Sequence, residues 1–141
     1  MPTTSQIVGA TALPVDDAHR SFVLKSPVIS FIGKTAADVI KSIPVKAGMV
    51  IDRVTSVIVE VNNVGSAAFG VGDGDATSGY DAAVSGTAAI GTRAESAKGT
   101  DAFALAGKAY AADDTIDIIL STQGSIPTAG KVQLYAHGYW A

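Results

Sequence analysis

IPVKAGMVIDRVTSVIVEVNNVGSAAFGVGDGD, residues 43–75, is the stretch on which the reading of this chain turns. Val and Ile dominate Met49 to Val61. Both are stiff at χ1 and favour a pleated surface, so the run predicts a long β-strand. A helix does not fit, because no apolar stripe at i, i+3, i+4 separates from a polar face. Alternation puts Val57, Val59 and Val61 on one face, the expected core face. Val54, Ser56, Ile58 and Glu60 fall on the other, expected to be half covered. Asn62-Asn63 ends the strand, and Gly65-Ser66 has turn chemistry. Ala67–Val71 then reads as the return strand of a hairpin, closed by Gly72-Asp73-Gly74-Asp75.

Working outward toward the N-terminus, Val39–Val45 is the next strand. Thr35-Ala36-Ala37-Asp38 has the look of a helix start with Thr35 as N-cap, but Pro44 and Gly48 follow too closely for a helix. Val28–Ile32 and Ser21–Lys25 are further strands, the latter with Phe22 and Leu24 on one side. Asp16-Asp17 marks a turn. Ile7–Pro14 reads as a short strand or an extended arm lying across a neighbour. Toward the C-terminus, residues 73–107 are rich in Ala, Gly, Ser and Thr, with Thr87–Gly91 and Ala102–Leu105 as the best short strands. Thr115–Leu120 aligns Ile116, Ile118 and Leu120. Lys131–His137 alternates Val132, Leu134 and Ala136 inward with Lys131, Gln133, Tyr135 and His137 outward. Short strands between Gly and Pro turns predict an all-β, jelly-roll-like β-sandwich. The expected division is an N-terminal arm, residues 1–14, and one sandwich domain, residues 15–141.

The chain has 141 residues, a net charge of −3 and no cysteine. One domain of this size buries about 68–70% of its unfolded surface and needs no disulfide or metal to fold. Without cysteine there are no disulfides, iron–sulfur clusters or thiol catalysis. Charged residues are only 16%, with no Lys/Arg cluster, so no nucleic-acid partner is expected. MPTTSQIVGATALP lacks a basic segment and a continuous apolar core, so no signal peptide is expected. No window approaches ~18 uninterrupted apolar residues, so no membrane partner is expected.

Chemistry is sparse. Gly70-Val71-Gly72-Asp73-Gly74 departs from a dinucleotide fingerprint and from a Walker loop, and no helix follows. Asp73, Asp75 and Asp81 offer hard oxygen ligands for calcium, but without the spaced set and closing Glu of an EF-hand they read as a solvated turn. His19 beside Arg20 reads as a surface residue, and His137 as a contact residue; two histidines do not make a metal site. No serine sits in a nucleophile motif, so no catalytic residue, cofactor or metal ligand is assigned. Tyr135, Tyr139 and Trp140 fit either a sugar-stacking platform or anchors of the last strand, and anchoring is preferred.

Four stretches in this order carry a resemblance: IPVKAGMVIDRVTSVIVEV (43–61), FGVGDGDATSGYDAA (69–83), AYAADDTIDIILS (109–121) and GKVQLYAHGYW (130–140). Together they resemble capsid decoration, or cement, proteins of tailed bacteriophages, which have a jelly-roll fold. The resemblance implies a non-enzymatic virion protein on the outer surface of the capsid, assembled in the host cytoplasm. It implies a homo-oligomer, a trimer, that stabilises the shell by clamping neighbouring subunits of the major capsid protein. The expected interface residues are Ile7 and Leu13 on the arm and Tyr135, His137, Tyr139 and Trp140 on the last strand. The competing reading is a carbohydrate- or receptor-binding module of a phage tail or fibre, since the same fold hosts lectins. A cupin-type enzyme is remote, because its metal site needs more histidines than this chain has.

Overall fold

The computed structural model describes residues 20–95, 107–122 and 124–141. The expected arm with Ile7 and Leu13, the Asp16-Asp17 turn, His19 and the Ala102–Leu105 strand lie outside them. The described residues contain no helix and ten strands: β1 (Ser21–Lys25), β2 (Ile29–Ser30), β3 (Val39–Val45), β4 (Met49–Glu60), β5 (Ala68–Gly72), β6 (Asp81–Ser85), β7 (Arg93–Glu95), β8 (Lys108–Ala109), β9 (Asp114–Thr122) and β10 (Lys131–Trp140). They form two antiparallel sheets, so the expected all-β sandwich is what the chain adopts.

The first sheet runs β1-β10-β4-β7, with β2 also on β10 and β8 also on β4. β1 and β2 lie in line along one edge of β10, pairing with its C-terminal and N-terminal halves. Pro27 separates them, since proline has no N–H for the ladder. Ser26 spans the gap. Its N–H donates to the Leu134 carbonyl, and its buried hydroxyl accepts from the Leu134 N–H at 2.9 Å. The second sheet runs β3-β9-β5-β6.

The core lies between the sheets. β9 contributes Ile116, Ile118 and Leu120, β5 contributes Phe69 and Val71, and β3 contributes Ile43 and Val45. β10 faces them with Val132, Leu134 and Ala136, each fully buried, as its alternation predicts. Phe31 closes one end against Phe69, ring centroids 5.3 Å apart.

Three local expectations are corrected. First, the faces of β4 are reversed: Ile51, Val54, Ser56 and Ile58 are buried, whereas Val57 and Val59 are half-buried and Val61 is exposed. Register explains this. Val54, Ser56 and Ile58 lie opposite Ala136, Leu134 and Val132, and cross-strand partners share a face. A bulge near Asp52-Arg53 lets Ile51 point inward as well.

Second, β4 and β5 do not form a hairpin; they lie in different sheets. Asn62 is the pivot. Its N–H donates to the Gly86 carbonyl and its side-chain oxygen accepts from Val64 N–H at 2.8 Å, so the chain leaves the sheet and crosses the core. Third, Thr87–Gly91 is a turn. Gly91 sits at φ +86°, where only glycine is unstrained, and its N–H donates to the Ile58 carbonyl. This turn carries the chain from β6 back to the first sheet. Thr35–Asp38 is likewise a turn, with the Thr35 N–H donating to the Asp38 carboxylate at 2.8 Å and Ala37 at φ +74°.

Candidate interaction face

The outer face of the first sheet is built by register. Tyr135 of β10 lies between Lys25 of β1 and Thr55 of β4, and Thr55 in turn faces Glu95 of β7. One row thus runs from a cation to an anion across four strands. The Lys25 ammonium sits 6.0 Å from the centre of the Tyr135 ring, within cation–π range. The Thr55 hydroxyl donates to Glu95 Oε1 at 3.2 Å. Tyr135 donates to Gln133 Oε1 at 3.4 Å, and Gln133 Nε2 donates to the Ser26 carbonyl at 2.7 Å. These contacts order the face before anything touches it, so fewer side chains need fixing on association.

The next row holds Val23, His137 and Arg53. Val23 is 57% exposed. An open groove of about 430 Å³ runs here, lined by Phe22, Val23, Asp52, Arg53 and His137 among others. Partial burial, and then the neighbouring Arg53 guanidinium, hold the His137 imidazole below its ordinary pKa. The neutral ring is both donor and acceptor, which suits a polar contact. Tyr139 is half-buried on this face, opposite Ser21.

Trp140 does not join them. It packs edge-to-face on Phe22, 6.0 Å between centroids, and its ring lies over Gly48. The Ala141 N–H donates to the Gly48 carbonyl behind it. The tryptophan therefore anchors the end of β10, and no paired aromatic platform forms with Tyr135. Of the expected site residues, Tyr135, His137 and Tyr139 share one surface, and Trp140, 38% exposed, lies at the end of the strand against Phe22. Lys25, Glu95 and Arg53 complete the face, with Thr55 buried in the row between Tyr135 and Glu95, and the sequence alone marks none of them as contact residues. Lys25 is visible at a strand end, but the others need the β4–β10 and β4–β7 registers.

The acidic turn resolves differently from expectation. Asp73 is 1% exposed and not solvated. Its Oδ1 accepts from the backbone N–H groups of Asp75 and Ala76 at 2.8 and 3.0 Å. Its Oδ2 accepts from the Tyr110 hydroxyl at 2.7 Å. Tyr110 has one proton and gives it to Asp73, so the 2.7 Å contact between the two hydroxyls is donated by Tyr80. Burial is the main force raising both tyrosine pKa values. One carboxylate oxygen each from Asp73, Asp75 and Asp114 lie within 4.8 Å of one another, so Asp114 of β9 takes the place expected for Asp81. That group is internally compensated: Asp75 holds Lys108 at 2.9 Å, and both Asp73 oxygens are hydrogen-bonded. Its geometry serves to tie the β5–β6 loop to the β8–β9 segment.

No family model matches the chain, and no curated protein matches it. Solved structures do. A chain of the cyanophage Pam1 capsid asymmetric unit superposes with a TM-score of 0.71 at 17% identity, covering all of both chains. A chain of the Ralstonia phage GP4 capsid gives 0.62 at 14% identity, covering 94% of this chain and 92% of that one. A chain of the acid-stable capsid of Helicobacter pylori bacteriophage KHP30 gives 0.59 at 16% identity, covering 86% and 89%. At such identities the likeness is one of fold, and this sandwich is a fold found among chains of three phage capsid structures.

Proposed function

We propose that this chain is a non-enzymatic structural protein of a phage particle that decorates the outside of the capsid. One observation carries the reading: the end-to-end likeness, over all of both chains, to a chain of a capsid asymmetric unit. Three structures sharing the fold all come from capsids. In this reading the protein stabilises the shell by clamping neighbouring major capsid subunits. The chain forms a homotrimer, a ring closed by heterologous contacts. The ordered face of Tyr135, His137, Tyr139 and Lys25 supplies the contact between copies. Small contacts repeated around a ring and across a shell add up through effective concentration. The carbohydrate-binding alternative loses its main support where Trp140 packs on Phe22 rather than beside Tyr135.

Two measurements test the proposal. Light scattering after size exclusion is expected to give the mass of a trimer. Purified protein is expected to co-sediment saturably with empty shells of the phage that encodes it. Glycan binding by a monomer that ignores shells would support the lectin-type reading instead.

A further inference from the structure

The two ends of the sandwich differ in character. One end is formed by four connecting segments, residues 26–38 (which include the two-residue β2), 61–67, 86–92 and 124–130, together with the start of β3 at Val39. Among the described residues, six of the eight large apolar side chains left exposed belong to this end: Val28, Ile32, Val39, Val61, Ile90 and Ile126. Ile90 is 69% exposed and Ile126 58%. Isolated exposed apolar residues need no explanation, but a concentration on one surface marks an interaction site. Three of the four loops, 61–67, 86–92 and 124–130, contain no charged residue; the first holds Lys34 and Asp38.

The loops are tied to each other. The Gly33 N–H donates to the Pro127 carbonyl, and the Phe31 N–H to the Gly130 carbonyl. The Asn63 side chain bonds Thr128 and Ala129, and the Asn62 N–H reaches the Gly86 carbonyl. The apolar tips are therefore held outward on a braced frame. The opposite end carries Asp73, Asp75, Asp113 and Asp114 with Lys46 and Lys108.

We infer that the apolar loop end is the surface that docks on a protein partner, and that this partner is the outer surface of the assembled shell, at a site that is apolar and almost free of charge. The inference rests on the capsid reading above and names the contact within it. The charge pattern selects the occupant. An end whose four segments hold a single lysine, Lys34, offset by Asp38, gives little to a phosphate backbone or an anionic sugar, which need several cations. It loses little on desolvation against an apolar protein surface, while the opposite end keeps the exposed charges of Lys46, Asp75 and Asp113 in water. The outer sheet face, with its Lys25-to-Glu95 row, is left for contacts between copies.

The test compares three proteins in co-sedimentation with empty shells of the encoding phage: the unaltered chain, the double variant Ile32→Asp/Ile126→Asp, and Tyr135→Ala. Both isoleucines are about half exposed, so the double variant is expected to keep the parent melting temperature and mass. Buried charges at an apolar contact are expected to weaken shell binding about 100-fold or more. Binding by the double variant equal to that of the unaltered chain overturns the inference and leaves the capsid reading standing. A change of oligomeric mass in the double variant overturns it too, since the occupant is then a second copy. Failure of the unaltered chain to bind shells overturns both.

Discussion

Removing one hydroxyl, in Tyr110→Phe, probes the buried chain that links the two sheets at the acidic end. Tyr110 is 5% exposed, and its hydroxyl bonds Asp73 and Tyr80, both at 2.7 Å. The Phe variant fills the same space but leaves Asp73 Oδ2 without this donor. A lost charge-assisted bond and a lost neutral one together cost about 2–4 kcal/mol. The domain is expected to survive, because total stability is about 5–15 kcal/mol. A second signature lies in alkali. Burial raises the pKa of both tyrosines in the folded state. Below about pH 10 both states keep these protons, and the contribution is fully present. Above it the unfolded chain releases protons that the folded chain retains, so stability falls by about 1.4 kcal/mol per pH unit for each tyrosine. Tyr110→Phe is expected to remove Tyr110's share of that slope. Urea unfolding at fixed protein concentration, from pH 7 to 11.5, measures both quantities. A loss under about 0.5 kcal/mol at pH 7, or an unchanged alkaline slope, refutes the argument.

Other outcomes follow from single sites. Ile118, fully buried on β9, is expected to cost about 3–4 kcal/mol as Ile118→Ala with an unchanged urea slope, and a loss under ~1.5 kcal/mol counts against the core assignment. A methyl group at Gly138 would overlap the Val50 carbonyl, so Gly138→Ala must push β10 from β4; denaturation is expected to show a loss of about 3 kcal/mol or more. His137 is expected to titrate below 6.5 by NMR. Since its folded pKa is lowered, its contribution is present above about pH 6.5 and fades as acid protonates the unfolded chain first; His137→Gln should abolish that dependence.

What the sequence made legible follows physical periodicity. β10 alternates from Lys131 onward, so its inner and outer residues are legible in the sequence. Val39–Val45 and Met49–Glu60 are dense in β-branched residues, and that density marks their bounds almost to the residue. The same density hid the faces of β4, because Val57 and Val59 look as apolar as Val54 and Ile58; only pairing with β10 separates them. Partner choice is non-local, so the crossing at Asn62 resembled a hairpin turn. The β6 and β7 strands, DAAVS and RAE, have too little apolar content to announce themselves. Tyr80 and Tyr110 do not read as a pair because 30 residues separate them, and only the fold brings their hydroxyls together. The apolar loop end was equally hidden, since its isoleucines and valines are scattered singly through loops.

Cryo-electron microscopy of empty shells saturated with the purified chain is the most direct test of the capsid account. Density for the sandwich is expected at discrete, symmetry-related sites on the outer surface, with the loops holding Ile32, Ile90 and Ile126 against the shell. Bare shells at saturating protein, or density confined to the interior or the tail, would contradict it.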